Sequence, residues 1–169
     1  MDKYDSIINL YALDILNSYG MKLEKKFIQH GNTSVFHHSL SVTRMCLKIV
    51  DKFNLDVSFS SLVRGALLHD YFLYDWHTSS NYLHGFTHGR CAMNNAIRDF
   101  NISKIEKNMI SCHMFPLTLR VPKYKESIIL CIADKICATE EFFNYNLFRF
   151  KKLSFLGNYI CIFILLFKK

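Results

Sequence analysis

Apolar side chains recur every three to four residues through most of this chain, and at six places a histidine or aspartate occupies the stripe instead. That pattern constrains the fold more than any other feature. A helix turns its apolar stripe toward the core, so His38, His69, Asp70, His88, His113 and Asp134 are all directed inward. Burying an unpartnered neutral polar group costs roughly 2–7 kcal/mol, and an unpaired charge costs more. The helices must therefore bring these groups to one another or to a shared partner, and a metal ion is the simplest one. Any single inward histidine is more often a hydrogen-bonded core residue than a ligand. Four on different helices, with two inward aspartates, are hard to explain as independent accidents, and helix bundles build metal sites in this way.

The stripes place the elements. Ile7, Ile8, Tyr11, Ile15, Leu16 and Tyr19 predict a helix over 4–19 that stops at Gly20. A short helix over about 21–29 follows, ending at a solvated cap residue, His30. Thr33 and Ser34 are N-caps for a helix to about Phe53. Its stripe of Val35, Val42, Met45, Ile49 and Phe53 has its vacant place at His38, while His37 is turned about 100° away. A helix from Asp56 or Ser58 carries Leu62, Ala66 and His69 on one face and closes on Asp70. Residues 71–81 read as an aromatic loop of the kind that lines a site mouth, with Tyr74 and Trp76 in it. Thr87 is the predicted N-cap of the next helix, which starts the stripe His88, Ala92, Ala96 and Phe100 and leaves His84 outside. Ser103-x-x-Glu106 is a capping box for a helix with Ile105, Met109 and His113 on one face. Phe115-Pro116 ends it, and an extended segment with Arg120 follows. From about Lys125 a long helix runs past Glu141, with Leu130, Asp134 and Ala138 four residues apart. Asp134, amid the apolar run 128–138, is the residue least tolerable without a partner.

These elements predict an all-α, single-domain helical bundle over 1–150, followed by an apolar tail over 151–169. The tail's apolar run, 153–167, is short of the roughly 20 residues that span a bilayer. A packed helix or homodimer contact is expected there, with peripheral membrane association as the minority reading. The net charge of +7 does not indicate a nucleic-acid polymer as partner, because Arg149, Lys151, Lys152, Lys168 and Lys169 supply five of those charges with no acid after Glu141. Six scattered cysteines without a Cys-x-x-Cys pair, behind a polar N-terminus, read as reduced core residues of a cytoplasmic protein.

The order His38, then His69-Asp70, then Asp134 resembles the HD-domain metal-dependent phosphohydrolases over about residues 30–142. The contexts Leu67-Leu68-His69-Asp70 and Ile132-Ala133-Asp134-Lys135 look like that superfamily's motifs. His88 and His113, between the His-Asp pair and the last Asp, are similar to its two-metal branch. No Gly-Tyr-Pro motif follows the His-Asp pair, unlike the cyclic-di-nucleotide phosphodiesterases. The segment 71–84 and the apolar tail depart from the dinucleoside tetraphosphate hydrolases.

The resemblance implies two divalent transition metals per chain, with Fe or Mn favoured over Zn or Co by an all-imidazole and carboxylate donor set. Asp70 would bridge them, with His38, His69 and Asp134 on one and His88 and His113 on the other. A bridging hydroxide would then cleave a phosphoester or phosphoanhydride. The expected substrate is a small phosphorylated molecule, with a nucleotide favoured. Asp70 and Lys135 are the candidate catalytic residues, and Arg120, Lys135, His84 and Trp76 the candidate substrate contacts. The rival expectations are a non-catalytic nucleotide-binding or assembly module, and a single structural zinc.

Overall fold

The computed structural model describes residues 2–78 and 83–166, with side chains through Leu147. Among the described residues the chain is all-α apart from one small hairpin. Its elements are α1 (Lys3–Leu16), α2 (Tyr19–Glu24), β1 (Ile28–His30), β2 (Thr33–Ser34), α3 (Val35–Phe53), α4 (Phe59–Leu67), α5 (His84–Asp99), α6 (Lys104–Cys112) and α7 (Lys125–Leu166). α4 sits at the centre, packed on α1, α3, α6 and α7, while α5 leans on α6 and α3 lies along α7. Leu62, Leu67, Met109, Ile110 and Leu130 are fully buried between them. Each contributes roughly 1.5–3 kcal/mol relative to an exposed side chain.

The helix starts follow their caps. Ser34, Ser58 and Ser103 each accept a backbone N–H from the residue three positions on, and Glu106 completes the capping box by accepting the N–H of Ser103. α3 ends on Asn54 in the left-handed conformation, a residue type that tolerates it.

Three boundaries differ from the sequence expectation. α1 stops at Leu16 rather than near residue 19, and Gly20 lies inside α2. Ser18 accepts the N–H of Met21 and starts the new helix, so a cap overrides a stripe that continues through Tyr19. The expected helix over 21–29 is only α2. After Glu24 the chain pairs Ile28–His30 with Thr33–Ser34 as a hairpin. Gly31 turns it at φ +58°, and a Cβ there would sit 2.8 Å from Tyr145, so the turn is pressed under α7. Finally, α5 begins at His84, a full turn before His88. Thr87 does not cap it: its hydroxyl donates to the Leu83 carbonyl and so reinforces the first turn.

α7 continues through the tail as far as Leu166, and the packed-helix, dimer and membrane expectations for 151–169 fall on side chains outside the described residues. Among the described residues no helix is long and apolar enough to cross a membrane.

Candidate metal centre

His38 projects from α3, His69 and Asp70 from the turn that ends α4, His88 from α5, His113 from the C-cap of α6, and Asp134 from the middle of α7. The six are brought together, and none is more than 8% exposed. They form two groups whose donor atoms lie within 4.8 Å of one another and could each hold a metal ion: His38, His69 and Asp134, and Asp70, His88 and His113. The backbones come close enough because α5 meets α6 at Gly89. A Cβ there would lie 3.2 Å from both the His113 ring and the Ile110 carbonyl.

The carboxylate of Asp70 faces both groups. Its Oδ1 lies 3.3 Å from His88 Nε2 and 3.4 Å from His113 Nε2, while Oδ2 lies 3.4 Å from His69 Nε2 and 3.8 Å from His38 Nε2. Asp134 Oδ1 is 3.2 Å from His38 Nε2 and 3.7 Å from His69 Nε2. The side-chain amide of Gln29 donates to Asp70 Oδ2.

The far side of each ring fixes its tautomer. The Nδ1 atoms of His69, His88 and His113 each sit 2.8 Å from a backbone carbonyl, of Ala66, His84 and Ile110 respectively. A carbonyl only accepts, so each Nδ1 carries the hydrogen. His38 Nδ1 lies 3.1 Å from both oxygens of Glu141 and likewise donates. In the neutral rings every Nε2 is then a bare lone pair aimed at the cluster. His88 Nε2 and His113 Nε2 are 2.8 Å apart, a contact two lone pairs cannot make without a cation between them. His69 Nε2 and Asp70 Oδ1 are buried with no hydrogen-bond partner. Carbonyl and carboxylate acceptors behind the rings lock metal-binding imidazoles in this way, and the donor set of nitrogens and carboxylate oxygens fits a divalent transition metal.

Protonation follows the same demand for positive charge. Burial pushes the Asp70 carboxyl up, but the charge of His69 and the close approach of the His113, His69 and His88 rings outweigh it and hold Asp70 well below the usual carboxylate range. Asp134 is likewise low, with burial overcome by the His38 ring hydrogen-bonded to it and by the nearby His69 ring. Burial depresses His38, yet Asp134 and Glu141 raise it to about 9. His69 and His88 are also raised against burial, by Asp70 above all, while burial, with the charges of His88 and His69, leaves His113 low despite Asp70.

Asp70, His88, His113 and Asp134 of the cluster line a cavity of about 1000 Å³. Lys135 lines it, its Nζ donating to the carbonyls of His113 and Cys131 at 3.2 Å each. Trp76, Met114, Pro116 and Leu117 form an apolar wall. His84, expected outside the helix, stands on α5 one turn before His88. The Trp76, His84 and His88 rings stack in series, with centroids 4.9 Å and 4.6 Å apart. Burial, helped by the charge of His88, pushes His84 down to about 4, so this ring is neutral at pH 7. Its Nδ1 lies 2.8 Å from the Tyr74 hydroxyl. Arg120 is not brought to this cavity and lines a separate pocket.

Three neighbours of the cluster escape sequence reading. Glu141 stands seven residues after Asp134, two turns along the same face of α7, a spacing that could have identified it. Gln29 has no such signal, because it reaches Asp70 through a hairpin that periodicity does not announce. His30, expected as a solvated cap, lines the cavity, with its ring centroid 5.4 Å from that of His38. His30, His38 and Glu141 make a third grouping that could hold a metal ion, through the outer nitrogen of His38. Glu24 is also fully buried, with neither carboxyl oxygen hydrogen-bonded. Burial, reinforced by the charge of Asp70, holds it well above the usual carboxylate range.

No family model, curated protein or solved structure matches this chain.

Proposed function

We propose that this chain is a metal-dependent phosphohydrolase of the HD-domain type, which cleaves a phosphoester or phosphoanhydride of a small substrate and favours a nucleotide. The observation that carries the reading is the Asp70 carboxylate, with one oxygen facing His88 and His113 and the other facing His38 and His69. A carboxylate so placed suits a bridge between two cations. Bound there, a metal pair would supply Lewis acidity at phosphorus and a water of lowered pKa. The donors suit iron, manganese, cobalt or zinc rather than a soft metal, and the HD-type reading favours Fe or Mn.

The chain's own residues do the rest. His38, His69 and Asp134 would hold one cation and His88 and His113 the other, with Asp70 shared. Glu141 and the carbonyls of Ala66, His84 and Ile110 keep each Nε2 bare and aimed inward. Lys135, with one of its three N–H groups uncommitted by its two carbonyl bonds, is set to neutralise a phosphate oxygen. Trp76 and His84 line the cavity as aromatic surface beside the cluster, and the cavity volume suits a nucleotide-sized ligand.

Two measurements test the proposal together: bound transition metal per chain in protein purified without chelator, and phosphate release from a panel of mono- and dinucleotides and simple phosphoesters. Wild type should hold close to two ions and turn over at least one substrate. Asp70→Asn should lose most of the metal and all turnover while keeping its helical circular dichroism. Turnover in Asp70→Asn equal to wild type would sink the hydrolase reading. Nucleotide binding to metal-loaded wild type without any turnover would instead support the non-catalytic binding module.

A further inference from the structure

Arg90 on α5 and Arg120 on the segment after α6 converge on a pocket of about 150 Å³, separate from the metal-centre cavity. Neither guanidinium has an ion-pair or hydrogen-bond partner among the described residues, and no carboxylate lines the pocket. Both side chains are exposed at the pocket rim, so their charges are free to meet an anion there. The hydroxyls there are unevenly committed. Thr87 donates to the Leu83 carbonyl and Ser111 to that of Asn108. Thr118 Oγ1 is buried and has no hydrogen-bond partner. Two planar guanidinium forks and one uncommitted hydroxyl donor make a set for a tetrahedral oxyanion, in a space that suits a single phosphate group and not a nucleoside.

We propose that Arg90, Arg120 and Thr118 form a phosphate-binding site distinct from the metal cluster. Its position gives it consequence. Met114 lines both this pocket and the large cavity, and it directly follows His113. A phosphate here therefore braces the segment that carries a cluster histidine, either as a free ion or as the terminal phosphate of a longer ligand that reaches around Met114. The inference stands without the hydrolase reading, since it uses none of the cluster residues.

The test is calorimetric titration of inorganic phosphate into the full-length protein, for wild type, Arg90→Gln, Arg120→Gln and Asp70→Asn. Each arginine variant should weaken one phosphate site per chain by at least about tenfold, the loss expected for a charge-assisted hydrogen bond. Asp70→Asn should leave that site intact, and chelated wild type serves in its place if the variant does not fold. Binding that follows Asp70→Asn and ignores both arginines would overturn the proposal, as would the absence of saturable binding in wild type. Tripolyphosphate separates the two sources. Tighter binding than phosphate that requires both the arginines and Asp70 identifies the terminal phosphate of a spanning ligand, whereas a gain independent of Asp70 identifies the free ion.

Discussion

His38 shows how much of the centre rests on a residue outside the six candidate ligands. Its Nδ1–H points at Glu141, and that bond leaves Nε2 as the lone pair available to the cluster. Glu141→Ala should weaken metal binding by roughly 10–100-fold, the usual cost of losing such an outer partner, as read by competition with a chromogenic chelator. Glu141→Gln keeps an acceptor oxygen and should fall between the two. The sequence already turned His38 inward and His37 outward, because 100° of rotation separates them. It misread His30, since a hairpin rather than a helix end carries it into the cavity.

Among the elements, α5 decides the second half of the cluster. Its stripe placed His88 inward, but its start at His84 depended on neighbours: the hydroxyl of Thr87 on Leu83 and that of Tyr74 beside His84. Gly85 and Thr87 argue for a later start in isolation, and packing overrides such weak local preferences. The contact of α5 with α6 at Gly89 is tighter than a side chain tolerates comfortably. Gly89→Ala should destabilise the protein by about 1–3 kcal/mol through overpacking, measured by urea unfolding. Because the obstructed atoms belong to His113 and Ile110, it should also lower bound metal toward one ion per chain while sparing the His38, His69 and Asp134 group.

For the whole molecule, a metal bound as proposed would compete with protons for the same cluster. In the metal-free protein the His38 imidazolium, with its pKa near 9 against an ordinary 6.5, contributes stability that is complete below pH 6.5 and lost as pH rises through 9. Asp70 and Asp134, both depressed, contribute stability present above about pH 4 and lost as pH falls through their lowered values. The metal-free protein should accordingly be most stable between about pH 4 and 6.5. Metal must displace the imidazolium protons, so its affinity should rise toward pH 9, about tenfold per pH unit for each proton released. Metal at ~100 times its dissociation constant adds about 2.7 kcal/mol. Thermal melts with and without chelator across pH 5–9 should therefore show little difference at the acid end and a clear loss of Tm on chelation at the alkaline end. A chelation effect greatest at pH 5 would contradict this coupling.

Periodicity alone determined that the chain is helical and that the six candidate ligands face inward, because a 3.6-residue repeat fixes the face of a residue whatever the helix packs against. The capping signals at Ser34, Ser58 and Ser103 are just as local, and their helices begin where the caps say. Tertiary structure decided what no repeat encodes. It set the distance between faces, which Gly89 permits and α4 at the centre organises, and the carbonyl and carboxylate partners that leave every Nε2 of the cluster bare. It also sent Lys135 and Arg120, both candidate substrate contacts in the sequence, to different cavities. Two cations with no buried apolar face to orient them can be assigned a place only by the packing of the chain around them.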